Sequence, residues 1–317
     1  MKIAFFHYAL YKYGLKNRGM MTSVRGYTRK LFHPGRGDTP APALHRLGID
    51  IVHGCQLRCI GCPNSTLHPK ISFMSPADFD AVLDNIDVTA IKNLVLFNFG
   101  EPLLHSALPD ILERIKKRAS PLIRTVGIST NGQHHDFPMI TEMFKVGVLN
   151  IFAVSCDGDG TKEEYERLRP PGKYEKLIEF LIKVKELRNK YSPETDLATS
   201  IICETKEGKK RWKETLTPLG WTPIFRNWYH LPGSMKSQAG ENSVALRKGC
   251  RFMSGKYLFV DADGTVVPCC VHPKPFEFGN LKTQRYSHVL TGDERRKKLH
   301  ELRKSKRTMP FCGDCGY

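Results

Sequence analysis

No stretch of these 317 residues approaches the roughly 18 consecutive apolar positions that a membrane helix needs. The opening Met-Lys-Ile-Ala-Phe-Phe-His-Tyr has neither the extended apolar run nor the small-residue cleavage site of a secretory signal. A cytoplasmic chain with no membrane partner is the expectation. Internal repeats and low-complexity tracts are missing too, which excludes solenoids and fibrous classes. Acidic residues are in short supply: 32 Asp and Glu face 49 Lys and Arg, for a net charge of +17. The excess is uneven. Residues 1–50 hold nine Lys/Arg against two Asp, residues 281–317 hold ten against four acids, and the stretch between them is nearly neutral. Such ends suit phosphates, nucleic acid or an acidic partner, and suit equally well solvated faces that aid solubility.

With 40% hydrophobic and 26% charged residues the chain can bury a sizeable core. Its length fits two domains, or one large domain with an appendage. Residues 1–48 read as a basic extension ending in a Pro/Gly-rich connector, His33 to Pro42. Short apolar runs then alternate with amphipathic stretches. Strands are expected at Ile49–Val52, Leu94–Phe97, Thr125–Ser129, Asn150–Ser155, Leu197–Ile202 and Pro223–Arg226. Helices are expected at Pro76–Ile86, Pro109–Lys117, Met139–Lys145, Tyr174–Asn189 and Lys206–Pro218. In the fourth helix Leu177, Phe180, Leu181, Val184 and Leu187 form one apolar stripe. Repeated strand–helix units force parallel strands. The fold class is therefore α/β: an incomplete (β/α)6 TIM-like barrel over 49–230, with its chemistry at the C-terminal strand ends. A linker over 231–249 leads to a small α+β domain, 250–317. This contains a hairpin, Tyr257–Val260 and Thr265–Val267, and a basic helix, Asp293–Arg303.

Ten cysteines remain to be placed, and in a chain of this size without secretory features they suggest metal ligation or catalysis. Cys55-Gln-Leu-Arg-Cys59-Ile-Gly-Cys62 follows the first strand. Three thiolates in a short loop can hold three irons of a [4Fe–4S] cluster and leave the fourth iron open for catalysis. A zinc site is the alternative, but no fourth ligand lies nearby in the sequence.

The triplet resembles the signature of the radical S-adenosylmethionine (SAM) superfamily, and further motifs fall in that family's order. Phe99-Gly100-Glu101-Pro102 is similar to a Gly-Gly-Glu-Pro segment that contacts the SAM amino group. Ser129-Thr-Asn131-Gly132 and Ser155-Cys-Asp157-Gly158 resemble SAM-contacting strand ends, and Arg169 sits where relatives place an arginine beside the SAM carboxylate. Phe99 replaces a family glycine, and Gly61 stands where relatives carry an aromatic against the adenine. The resemblance implies SAM bound to the open iron, reductive cleavage to a 5′-deoxyadenosyl radical, and hydrogen abstraction from an unactivated carbon. It implies a reductant such as flavodoxin or ferredoxin. Isomerisation, epimerisation and oxidation all remain open.

Cys250, Gly264, Cys269, Cys312 and Cys315 resemble the twitch form of the SPASM extension, which implies a second, fully ligated [4Fe–4S] cluster. Gly279-Asn280 fits the same family. Cys270 adjoins Cys269 and is the alternative ligand, although the Gly-x4-Cys spacing favours Cys269; a zinc ribbon would use the same residues. Cys156 is a speculative hydrogen-atom donor at a strand end, or simply a small buried hydrophobe. Phosphate-bearing or nucleobase substrates fit the basic ends, while relatives with this layout also suggest sugars or peptides. An N-terminal segment of 48 residues is too short for a peptide-leader domain of about a hundred. A zinc-containing nucleic-acid-binding protein would share the charge, but would leave the Gly-Glu-Pro and Ser-Thr-Asn-Gly turns unexplained.

Overall fold

The computed structural model describes residues 43–227, 250–271, 274–305, 309–313 and 315. The connector 33–42, all but the last six residues of the basic extension and the expected linker 231–249 lie outside them. Among the described residues there are twelve strands: β1 (Arg46–Ile49), β2 (Val52–His53), β3 (Ser72–Phe73), β4 (Ala90–Ile91), β5 (Leu94–Val95), β6 (Leu122–Ile123), β7 (Val126–Thr130), β8 (Ile151–Ser155), β9 (Asp196–Ile202), β10 (Thr222–Arg226), β11 (Tyr257–Val260) and β12 (Val266–Val267). Eight of these form one sheet in the order β10-β9-β8-β7-β5-β1-β11-β12. The run from β10 to β1 is parallel throughout, as six strand–helix units require. This is an incomplete parallel β/α barrel, as expected.

The C-terminal region is not a detached lobe. Strand β11 pairs in parallel with β1, Arg46 opposite Tyr257 and Ile49 opposite Val260, so the hairpin extends the barrel's own sheet. Its turn is closed by Asn280, whose side-chain amide donates to the Asp263 carbonyl at 3.0 Å and whose side-chain oxygen accepts from Lys282 N–H at 2.8 Å.

Local chemistry sets the helix boundaries. Ser75, Asp136, Thr161 and Thr205 each accept the N–H three residues on, capping helices Pro76–Asp84, Phe137–Val146, Lys162–Leu168 and Lys206–Leu216. Helix Tyr174–Tyr191 buries Leu177, Phe180, Leu181 and Val184 along the expected stripe. The first strand differs from expectation: it runs Arg46–Ile49 rather than Ile49–Val52. The apolar run continues past Ile49, but the Asp50 carboxylate turns away to take backbone donors from another loop. Val52 then starts a separate antiparallel pair with Phe73. Helices Lys162–Leu168 and Tyr286–Thr291 were too short to show periodicity. No helix among the described residues is long and apolar enough to cross a membrane.

Candidate functional site

Alternation along the strands gives the sheet two chemically different faces. Val95, Phe97, Ile151, Ala153 and Ala198 cluster on the inner face, while Leu94, Phe152, Val154 and Leu197 pack outward with the helices. A cavity opens at the C-terminal strand ends, where a barrel of this kind carries its chemistry. The structure brings Cys55, Cys59 and Cys62 together there with Gly100, Glu101, Asn131, Ser155 and Arg169. Pro102 and Ser129 are buried beside these residues but do not line the cavity.

Two carboxylates hold the turns in place. Asp50 accepts N–H groups from Asn98 at 3.1 Å, Phe99 at 2.8 Å and Gly100 at 3.1 Å, fixing the loop after β5. Glu101 accepts from Leu103 N–H at 3.1 Å through one oxygen and from Asn131 N–H at 2.7 Å through the other, tying that loop to the end of β7. Gly100 is required by close approach: a Cβ there would lie 1.6 Å from the Val52 carbonyl oxygen. Arg169 is fully buried and ion-paired with Asp157, whose other oxygen accepts Ile202 N–H at 3.0 Å.

The cysteine loop is anchored through its backbone. Arg58 and Ile60 N–H donate to the carbonyls of Pro170 and Leu168 at 2.6 and 2.9 Å, the segment that carries Arg169. Leu57 N–H and the Asn131 amide each point at the Cys55 sulfur from 3.4 Å, donors of the kind that tune an iron–sulfur centre. Burial pushes the Cys59 thiol up to about 12, against the opposing pull of the Arg169 cation. A metal that binds there must displace that proton, as iron–sulfur clusters and thiolate metals do.

These features test the fit of a cluster. A single zinc ion gathers thiolates to sulfur separations of about 3.8 Å, given Zn–S bonds near 2.3 Å. Among the described residues no group of three or more His, Cys, Asp or Glu is arranged to hold one metal ion. The three thiols line one cavity, with the Leu57 and Asn131 amides donating to the Cys55 sulfur. The donor set suits a cubane.

The second cysteine set converges around the hairpin. Cys250, Cys269, Cys270 and Cys315 pack against Phe252, Phe259, Val267 and Val271, and Cys250 with Cys312 packs against Met253, Leu302 and Met309. Cys270 does something its neighbour does not: it lines the first cavity. Cys156, placed at the mouth by its position at the end of β8, is instead fully buried in the outer core. Its thiol accordingly rises well above the ordinary value through burial. The structure does not bring it to the cavity.

A parallel barrel whose strand ends hold three thiols beside a carboxylate-tied turn defines an iron–sulfur enzyme of the radical type. The chain belongs to the Radical SAM superfamily, which matches residues 49–208. The family SPASM, an iron-sulfur cluster-binding domain, matches residues 250–316. SAM and two [4Fe–4S] clusters are its cofactors. The chain is 24% identical over 318 residues to the tungsten-containing aldehyde ferredoxin oxidoreductase cofactor-modifying protein of Pyrococcus furiosus, covering 85% of this chain and 86% of that protein. The solved structure of BtrN in complex with AdoMet and 2-DOIA superposes with a TM-score of 0.56 at 14% identity, over 86% of this chain and 93% of that one. Native anSMEcpe with bound AdoMet and Cp18Cys peptide gives 0.57 at 17% identity, over 86% and 89%. This likeness is one of fold.

Asp50, Asn98 and Gln56 escaped the sequence reading, and so did Cys270 as a cavity residue. Asp50 had a legible signal: an acid placed directly at the end of an apolar strand needs a buried partner. Asn98 and Gln56 had none.

Proposed function

We propose that the enzyme oxidises a small substrate by two electrons at an unactivated carbon–hydrogen bond. The observation that carries this reading is the shared wall: the cavity holding Cys55, Cys59 and Cys62 is also lined by Cys270, next in the chain to Cys269 of the second set. When bound, SAM and the reduced first cluster would supply a 5′-deoxyadenosyl radical able to take the hydrogen atom, and the second cluster would accept the remaining electron as the substrate radical releases a proton. Cys55, Cys59 and Cys62 hold the first cluster; Cys250, Cys269, Cys312 and Cys315 hold the second.

Gly100, Glu101, Pro102, Ser129, Asn131, Ser155 and Arg169 orient SAM. The backbone around Gly100 approaches its amino group, Arg169 balances its carboxylate, and Phe99 supplies a ring at the cavity where Gly61 offers none. A small molecule rather than a polymer is the substrate class this reading favours. That choice agrees with a relative named for modifying a cofactor. Cys156 is too deeply buried to return a hydrogen atom to the substrate. A flavodoxin or ferredoxin in the cytoplasm serves as reductant.

The test is anaerobic turnover in D2O with candidate small-molecule pools. Formation of 5′-deoxyadenosine with a product two hydrogens lighter, carrying no solvent deuterium at the reacting carbon, is the expected result. A product of unchanged oxidation state that carries one deuterium would instead mean hydrogen return.

A further inference from the structure

We propose that the barrel lumen beneath this cavity binds an oxyanion of the substrate, a carboxylate or a phosphate, on the Arg46 guanidinium. The inference rests on the functional reading above for the substrate's presence, but on different residues. Arg46 opens β1 and is 4% exposed. Its guanidinium carbon stands 5.7 Å from the centroid of the Phe97 ring, at the apolar floor of the inner face. Among the described residues no carboxylate pairs with it, and its Nε has no hydrogen-bond partner.

The contrast with Arg169 is direct. Two arginines are buried among the described residues; one has Asp157 as its counter-ion, the other none. The groups that act on Arg46 electrostatically are the Cys270 thiol, the Tyr257 phenol and a second cation, Arg251. A buried guanidinium in that company, held over the Phe97 ring, has no counter-charge among the described residues, which suits an anion that arrives from outside.

Other groups around the cavity are donors as well. The Asn98 side-chain nitrogen is buried at the cavity wall without a partner. Ser200, paired in register with the cavity residue Ser155, likewise has a buried hydroxyl with no partner. The guanidinium fork of Arg46 is the charged member of this set of unpaired buried donors, and a charge-assisted pair with an oxyanion is what it lacks.

The experiment uses the SAM-loaded, anaerobically reconstituted holoenzyme. Inorganic phosphate and, separately, acetate are titrated at constant ionic strength against a chloride control, with the rise in Tm fitted to a Kd. We expect saturable binding of at least one probe, weakened about tenfold or more in R46M and less in R46K, as loss of a charge-assisted contact implies. Acetate alone would mark a carboxylate site, phosphate alone a phosphate site. Iron content reports whether R46M has folded; should it fail, R46Q takes its place with the same expectation. Undiminished anion affinity in these variants would overturn the proposal. So would a shifted second-cluster potential with anion binding unchanged, because the guanidinium would then serve the cluster. Wild-type protein that cleaves SAM yet shows no Arg46-dependent anion binding ends this inference alone. Anion binding without 5′-deoxyadenosine ends the functional reading and leaves the site standing.

Discussion

The Asp50 carboxylate grips the backbone of Gly100, accepting its N–H with both oxygens at 3.1 Å, and takes the N–H groups of Asn98 and Phe99 as well. Gly100 in turn sits so close to the Val52 carbonyl that no side chain fits. Strand β1 thus builds the turn after β5, the one that carries Glu101. Asp50→Ala should leave several buried donors unsatisfied and lower stability by about 3–5 kcal/mol. Asp50→Asn, which keeps one acceptor oxygen, should cost about half as much. Gly100→Ala should disrupt the turn outright. Denaturant unfolding under anaerobic conditions gives the stabilities, and SAM-induced change in the cluster's electron paramagnetic resonance signal reports the turn. An Asp50→Ala protein with undiminished stability and SAM response would show that the carboxylate does not hold the loop.

Arg169 and Asp157 form a buried pair, both less than 3% exposed over the whole residue. Arg169→Met leaves the Asp157 charge in low dielectric and should cost about 3–5 kcal/mol. The double variant with Asp157→Asn should recover part of that loss, because the uncompensated charge disappears while Ile202 N–H keeps an acceptor. SAM affinity should stay low in both, since neither retains the cation at the cavity. Recovery of SAM affinity in the double variant would separate Arg169 from SAM binding.

Cys156 and Cys270 make a sharper comparison. The first is fully buried in the outer core, the second lines the cavity. Cys156→Ala should cost about 1 kcal/mol and leave 5′-deoxyadenosine formation intact, and its thiol should resist alkylation in the native protein. Cys269→Ala should lose the second cluster, about four of eight irons, whereas Cys270→Ala should keep all eight. Iron and sulfide analysis decides between them. Loss of iron on replacing Cys270 alone would exchange the two assignments.

The fold was largely legible because its signals are local. Alternating apolar runs and stripes place six parallel strands and five long helices, and three thiols in eight residues announce a cluster loop. The rest depends on contacts between residues distant in sequence. The pairing of β11 with β1 joins residues about 200 apart, and no periodicity records it. The two readings of Cys156 were left open by the same limit: a strand end points to the mouth or to the helices according to a single residue of register, and Ser155 took the inward position. Arg46 looked like one more basic residue in a charged extension. Only the sheet shows that its side chain is enclosed.

Asp261 offers a test by pH. It follows β11 as Asp50 follows β1, and burial, reinforced by the Asp50 charge and weakly countered by Lys274, pushes its carboxyl up to about 7. A raised acid pKa in the folded state means the folded protein holds a proton that the unfolded chain has released. Below about pH 4 both states are protonated and Asp261 has no net effect. Between about pH 4 and pH 7 the unfolded chain alone is ionised, so stability falls as pH rises, by up to roughly 4 kcal/mol across the window. Above about pH 7 the penalty is complete and level. Asp261→Asn removes it, so the variant's advantage over wild type should grow from pH 5 to pH 7 and then hold constant. Unfolding free energies for both proteins at pH 5, 6, 7 and 8 check this. An advantage that stays flat across that range, or shrinks as pH rises, would mean the carboxyl ionises in the folded protein as easily as in water.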